Sequence, residues 1–147
     1  MKSLFGAVVL LSLAVLPMLG KAENPDFDRH FFNRTMRLDY YHSGEAKEEI
    51  VTIDNVFLEG PWAGSRTNLI DPFDRGRYAI KIYDETGKTL LFSRGFDSYF
   101  GEYRTTEAAA KGIRRTYHES ALIPQPKADI KFVLEARERD NSMRKIF

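Results

Sequence analysis

The side chains that could do chemistry are few, and their spacing suits none of the common catalytic devices. His118 stands beside Glu119, which is half of the HExxH pattern, but no second His follows four positions on. That pattern is needed because it sets two imidazoles on one helical face around zinc with a carboxylate as general base. The other two histidines, His30 and His42, lie at remote positions. Cys is absent, so a thiol nucleophile, a disulfide and a lipid-anchored lipoprotein are all excluded. Gly64-Ser65-Arg66 is not a GxSxG elbow, and a hydrolase built on Ser65 or Asp71 with His118 would require those side chains to converge in space. The carboxylate pairs Asp71 and Asp74, or Asp26 and Asp28, have the types needed for acid and base work or for calcium. Asp71-Pro72-Phe73-Asp74 is nevertheless a turn signature, since an Asp next to Pro accepts backbone N–H bonds. The expectation is a chain with no catalytic residue, no metal ligand and no cofactor.

The most distinctive segment is PWAGSRTNLIDPFDRGRY, Pro61 to Tyr78, set between stretches that read as strands. Connections longer than about 12 to 15 residues are usually functional or disordered. Trp62, Leu69, Ile70 and Phe73 supply apolar anchors that disordered segments lack, so an ordered loop is expected. Within it Trp62, Arg66, Asp71 and Asp74 are the candidate loop-bracing or interaction residues. Tyr99 and Phe100, with Tyr103, lie in a second loop region. These aromatics could stack on a sugar ring. The bracing role is favoured, because large aromatics carry much of a small domain's buried area.

Those loops must be held by strands, for period-two alternation dominates the chain. In Thr35 to His42, Met36, Leu38 and Tyr40 share one face while Arg37, Asp39 and Tyr41 share the other. Ile50 to Leu58 is a second strand. Tyr78, Ile80 and Ile82 mark a third, joined to Thr89–Phe96 by the Gly-containing connector Asp84 to Lys88. Arg114 to Ile123 is a fifth, Pro124 to Lys127 reads as a turn, and Ile130, Phe132, Leu134 and Ala136 define the last. One two-turn helix interrupts the series, with Thr105 or Thr106 as its cap and Gly112 at its end. A helix so short cannot serve parallel crossovers. The expected fold is therefore all-β, an antiparallel β-sandwich of six or seven strands with one short helix.

Lys2 followed by an almost unbroken apolar run from Leu4 to Leu19, closing on Gly20-Lys21-Ala22, reads as a signal peptide over residues 1–22. The run is shorter than the roughly twenty residues that span a bilayer. Residues 23–147 are then expected to form one domain, secreted or periplasmic, with no membrane attachment. Cleavage would remove Lys2 and Lys21 from the 22 Lys and Arg, leaving near-neutrality against 21 Asp and Glu. A nucleic-acid partner needs a clustered basic surface and is not expected.

Four blocks in order, FDRHFFNRTMRLDYYHSG, GPWAGSRTNLIDPFDRGRY, LLFSRGFDSYFGEYRTTEAA and RTYHESALIPQPK, resemble the N-terminal domain of the IgA peptidase family. These are secreted zinc metallopeptidases, also classed as peptidase family M64, and the likeness spans Phe27 to Phe147. The resemblance implies an all-β module placed ahead of a catalytic domain that carries an HExxH-type motif. No such motif occurs in these 147 residues, so no zinc ligand or catalytic Glu carries over to any position. The implied role is non-catalytic: an accessory or docking module whose partner is a metallopeptidase catalytic domain, in cis or in trans. The alternative is a stand-alone periplasmic module that binds a glycan or peptide. Export has a direct test: the intact mass of the exported protein is expected to begin at Glu23. Residues 1–22 retained in a membrane fraction would overturn cleavage.

Overall fold

Hydrophobic alternation alone would leave two half-wet sheets, and burial of their apolar faces against each other produces the observed architecture. A computed structural model describes residues 24–147 apart from Asp74, so the expected signal peptide over residues 1–22 and the candidate Asp74 lie outside the described residues. Strands β1 (Phe31–Gly44), β2 (Glu49–Leu58) and β5 (Arg115–Pro126) form one sheet in the order β2-β1-β5. Strands β3 (Tyr78–Asp84), β4 (Leu90–Phe96), β6 (Ile130–Arg137) and β7 (Met143–Lys145) form the other, in the order β4-β3-β6-β7. Every pairing is antiparallel. Leu38, Tyr40, Val51, Ala121 and Ile123 from the first sheet pack on Ile80, Ile82, Phe92 and Leu134 from the second in one buried cluster. The fold is the all-β antiparallel sandwich that the alternation predicts.

Three short helices, α1 (Phe27–His30), α2 (Tyr99–Tyr103) and α3 (Glu107–Ala110), stand where one was expected. The expected one is α3: the Thr106 side chain accepts from the Ala109 N–H, and Gly112, at φ 81°, ends it in the left-handed region that glycine tolerates. The other two are single turns capped by Asp26 and Ser98. They are too short to show helical periodicity, which is why the sequence pattern misses them. Two of their residues, Phe27 and Phe100, are buried and plug the sandwich.

Two strand readings need correction. Asp39 was expected on the wet face of β1, yet it is only 6% exposed. The Ser120 hydroxyl donates to it at 2.7 Å and the Arg37 guanidinium at 2.9 Å, beside a register shift between Asp39 and Tyr40. Pro124 and Pro126 are not a turn: they pair with Thr35 and Phe31 within β5. An edge strand tolerates proline, whose missing N–H would break a central ladder.

The long connection between β2 and β3 is an ordered brace along β4. The Leu69 carbonyl accepts from the Ser93 N–H at 2.9 Å, the Asp71 N–H donates to Ser93 Oγ at 2.9 Å, and Asp71 Oδ2 accepts from the Gly95 N–H at 2.9 Å. Gly95 permits the approach, because a Cβ there would stand 1.7 Å from the Arg75 carbonyl oxygen. The loop thereby satisfies backbone groups on a strand edge that would otherwise be open to foreign strands. Leu69 is fully buried in the main core, whereas Phe73 is 72% exposed. Leu69→Ala is expected to cost about 2–5 kcal/mol in denaturant unfolding, the range for emptying a buried leucine site. Phe73→Ala is expected to stay within about 0.5 kcal/mol of the parent, as surface changes usually do. A Leu69→Ala protein as stable as the parent would show that the brace does not anchor in the core.

Candidate functional site

The structure separates the residues that the sequence singles out. Trp62 is half-buried, meets Phe92 edge-on at 5.9 Å, rests on Gly64 and donates its indole N–H to the Ser65 carbonyl at 3.1 Å. Arg66 lies over the Phe27 ring at 4.7 Å and pairs with Asp28, tying the loop to α1. Asp71 accepts from the Phe73 N–H at 2.9 Å, the turn bond expected of it, in addition to its bond from Gly95. Phe100 belongs to a different cluster with Tyr103 and Ala109, and Tyr99, beside it in sequence, is 76% exposed. Ser65, Asp71 and His118 do not assemble. Ser65 Oγ accepts from the Thr67 and Asn68 N–H groups of its own loop. His118 contacts Asp54 at 3.2 Å and meets the tilted Tyr41 ring at 4.9 Å.

What the structure does assemble is a charge cluster between the sheets that sequence reasoning did not single out. His42 on β1 is 1% exposed. Its Nε2 lies 3.0 Å from Glu49 Oε2 and its Nδ1 lies 3.2 Å from Glu119 Oε2. Its ring stacks on Phe100 at 4.0 Å and meets Tyr78 edge-on at 5.2 Å. The Glu49 side chain has no exposure. Its Oε1 accepts from Arg104 at 2.6 Å and Arg144 at 2.7 Å, while its Oε2 also accepts from the Tyr78 hydroxyl at 3.2 Å. Glu119 Oε1 accepts from the Phe100 backbone N–H at 3.2 Å, so the carboxylate that holds His42 also anchors α2.

The ionisation state follows from this geometry. Two ionised carboxylates cannot donate, so both ring nitrogens of His42 bond only if both carry hydrogen. Burial pushes the His42 pKa down, but its hydrogen bonds to Glu119 and Glu49 outweigh that and the group stands above its ordinary 6.5. Burial likewise works against the Glu49 carboxylate, yet His42, Arg104 and Arg144 hold it down at about 2. Glu119 is lowered for the same reason, with His42 and the Phe100 N–H opposing its burial. Burial and the neighbouring Glu49 charge push the Tyr78 hydroxyl up, so it remains a neutral donor. The charges balance, because Arg104 and Arg144 with His42 face Glu49, Glu119 and Glu138, the last paired with Arg144.

An imidazolium with both nitrogens spent and no solvent access can neither take a proton from a substrate nor attack one. The cluster is a lock between strands. Among the described residues no group of three or more His, Asp or Glu is placed to hold a metal ion. The sequence contained a weak signal for the lock: an apolar-face His42 seven residues before Glu49 across a short turn, which puts both on the first hairpin.

Fold and cluster together define an antiparallel β-sandwich stapled by an internal ion network, with its distinctive loop used as a brace. The chain belongs to the family described as Peptidase M64 N-terminus, which matches residues 26–147. That match covers an N-terminal region and includes no catalytic domain. No curated protein matches the chain.

Removing one partner of a buried ion pair strands the other charge, which typically costs about 3–5 kcal/mol. Glu49→Gln is expected to lose that much stability in chemical denaturation. The pH profile has two limbs. Glu49, lowered from 4.5 to about 2, contributes stability that is present above 4.5 and lost as pH falls toward about 2. His42, raised above 6.5, contributes stability that is present below 6.5 and lost as pH rises through its folded value. The melting temperature is expected to peak between those two ordinary values. A melting temperature that does not fall above neutral pH would show that His42 is not a stabilising cation.

Proposed function

We propose that this chain is a secreted, non-catalytic accessory module that docks against the catalytic domain of a zinc metallopeptidase. Family membership supports association with a peptidase. The observation that carries docking is strand β2. It lies at a sheet edge and, among the described residues, pairs only with β1. Its end presents Val56, Phe57 and Leu58 in succession at 52%, 43% and 45% exposure, with Ile50 at 55% near its start. Phe57, opposite Arg37, and Val56, opposite Leu38, alternate between the outer and inner faces, so the edge is apolar on both sides. Solitary proteins usually blunt such an edge with lysine, proline or a covering element. EIVTIDNVFL contains neither Lys nor Pro, and contiguous exposed apolar residues usually mark an interface.

The glycan-binding alternative would use the groove bordered by Trp62, Asn68, Phe73 and Arg94. Trp62 suits it poorly, since Gly64 and Phe92 occupy its ring and Ser65 takes its N–H. Co-expression with the catalytic domain of a family member is expected to give one co-eluting species on size exclusion. Phe57→Asp is expected to separate the two components without lowering the module's own melting temperature by more than a few degrees. Separate elution of the parent proteins would overturn docking and favour the glycan or peptide reading.

A further inference from the structure

A cleft of about 920 Å³ opens where β3 begins and β6 turns into β7, and four arginines line it: Arg77, Arg104, Arg137 and Arg139. Two are held by the fold. Arg104 donates to Glu49 and to the Ala46 carbonyl at 3.0 Å, and Arg137 Nε donates to the Gly76 carbonyl at 2.9 Å. The Arg104 Nε is buried and has no hydrogen-bond partner among the described residues. Arg77 and Arg139 are different: both are exposed, and among the described residues neither guanidinium has a hydrogen bond or ion pair. The Arg137 N–H donates to the Arg77 carbonyl at 2.7 Å, which sets these two arginines side by side at the ends of neighbouring strands.

The rest of the wall selects among anions. Glu138 and Asp140 also line the cleft, and both are engaged: Glu138 pairs with Arg144, and Asp140 Oδ1 accepts from the Ser142 hydroxyl and N–H. Arg104 is offset by Glu49 and Glu138 by Arg144, which leaves Arg77 and Arg139 as the exposed cations that make the cleft positive. The hydroxyls of Thr105, Thr106 and Ser142 add donors and acceptors for a backbone, and no aromatic ring lines the wall to stack on a sugar. A single inorganic anion would fill little of this volume, which lies in the range of sites that hold extended ligands. Arginine forks match carboxylates in bidentate geometry.

We infer that this cleft binds a carboxylate-rich peptide segment of a partner protein, with Arg77 and Arg139 as the guanidiniums that grip its acidic side chains. Arg104 and Arg137, held by the fold, form the fixed floor of the cleft. The site is separate from the β2 edge, and its failure would leave the docking proposal untouched.

The probe is a fluorescein-labelled hexaglutamate peptide titrated with the chain at low salt and read by fluorescence anisotropy. Hexaglutamate is expected to bind, uncharged hexaglutamine is not, and added salt should weaken the complex. The double variant Arg77→Gln with Arg139→Gln is expected to weaken binding by about tenfold or more, in keeping with the strength of charge-assisted forks. Its melting temperature should match the parent, because neither side chain bonds to the described protein. Arg77→Lys with Arg139→Lys should recover only part of the affinity, since a point charge lacks the fork. Undiminished binding by the double Gln variant would overturn the inference. Equal binding of hexaglutamine, or displacement of the peptide by inorganic phosphate at matching concentration, would overturn it as well.

Discussion

The Glu49 carboxylate is the interaction on which the rest of the structure depends. It sits at the start of β2, and its four hydrogen-bond partners come from β1, β3, β7 and the end of α2. A carboxylate has about four lone-pair positions, and here each oxygen serves two donors. The two sheets otherwise meet through apolar contact, which is strong but non-directional. Glu49 adds direction, since Tyr78 and Arg144 of the four-stranded sheet reach it only if that sheet sits in one register against the other. A buried charge is costly unless paired and bonded. A slipped register would strand Glu49, which penalises alternatives that the hydrophobic cluster alone would tolerate.

His42 extends the same logic to Glu119. That carboxylate holds the imidazolium and the first turn of α2, so Phe100 stacks over a ring whose orientation is already set. The second hydrophobic cluster of Phe100, Tyr103 and Ala109 is thus fastened to the first through a polar hinge rather than through continuous packing. Rigidity at this end has a consequence for the Arg-lined cleft. Arg104 faces it while bonded to Glu49 and to the Ala46 carbonyl, so one of its four cations is positioned by the core itself.

The opposite behaviour governs the surfaces. The free edge of β4 is covered by the 59–77 connection, through Leu69, Asp71 and Gly95, and β5 limits its own edge with two prolines. β2 has neither a covering loop nor a proline among the described residues, although its register with β1 shifts at Asp54. Within one small sandwich, two edges are closed by recognisable means and a third is left open with apolar side chains on both faces. That contrast, more than the aromatic content of the chain, sets β2 apart from the other edges.

Much of the fold was legible in the sequence. Alternation in Leu38, Tyr40 and His42 or in Tyr78, Ile80 and Ile82 marks strands, because side chains on a pleated chain point to opposite faces with period two. Thr106 and Gly112 bracket α3 because capping and left-handed backbone are local requirements. Of the apolar anchors read in the long loop, only Leu69 proves fully buried. Tertiary structure alone decided the burial of Asp39, the pairing of Pro124 and Pro126, and the short edge strand β7. It also decided the ion cluster, in which His42 meets Glu119 across 77 positions and Glu49 meets Arg144 across 95. The physical reason is common to all of these: alternation records which face of a strand is apolar, but not which strand lies beside or beneath it. A charged residue on a buried face reads as a surface residue until the sheet order brings its counter-charge to it.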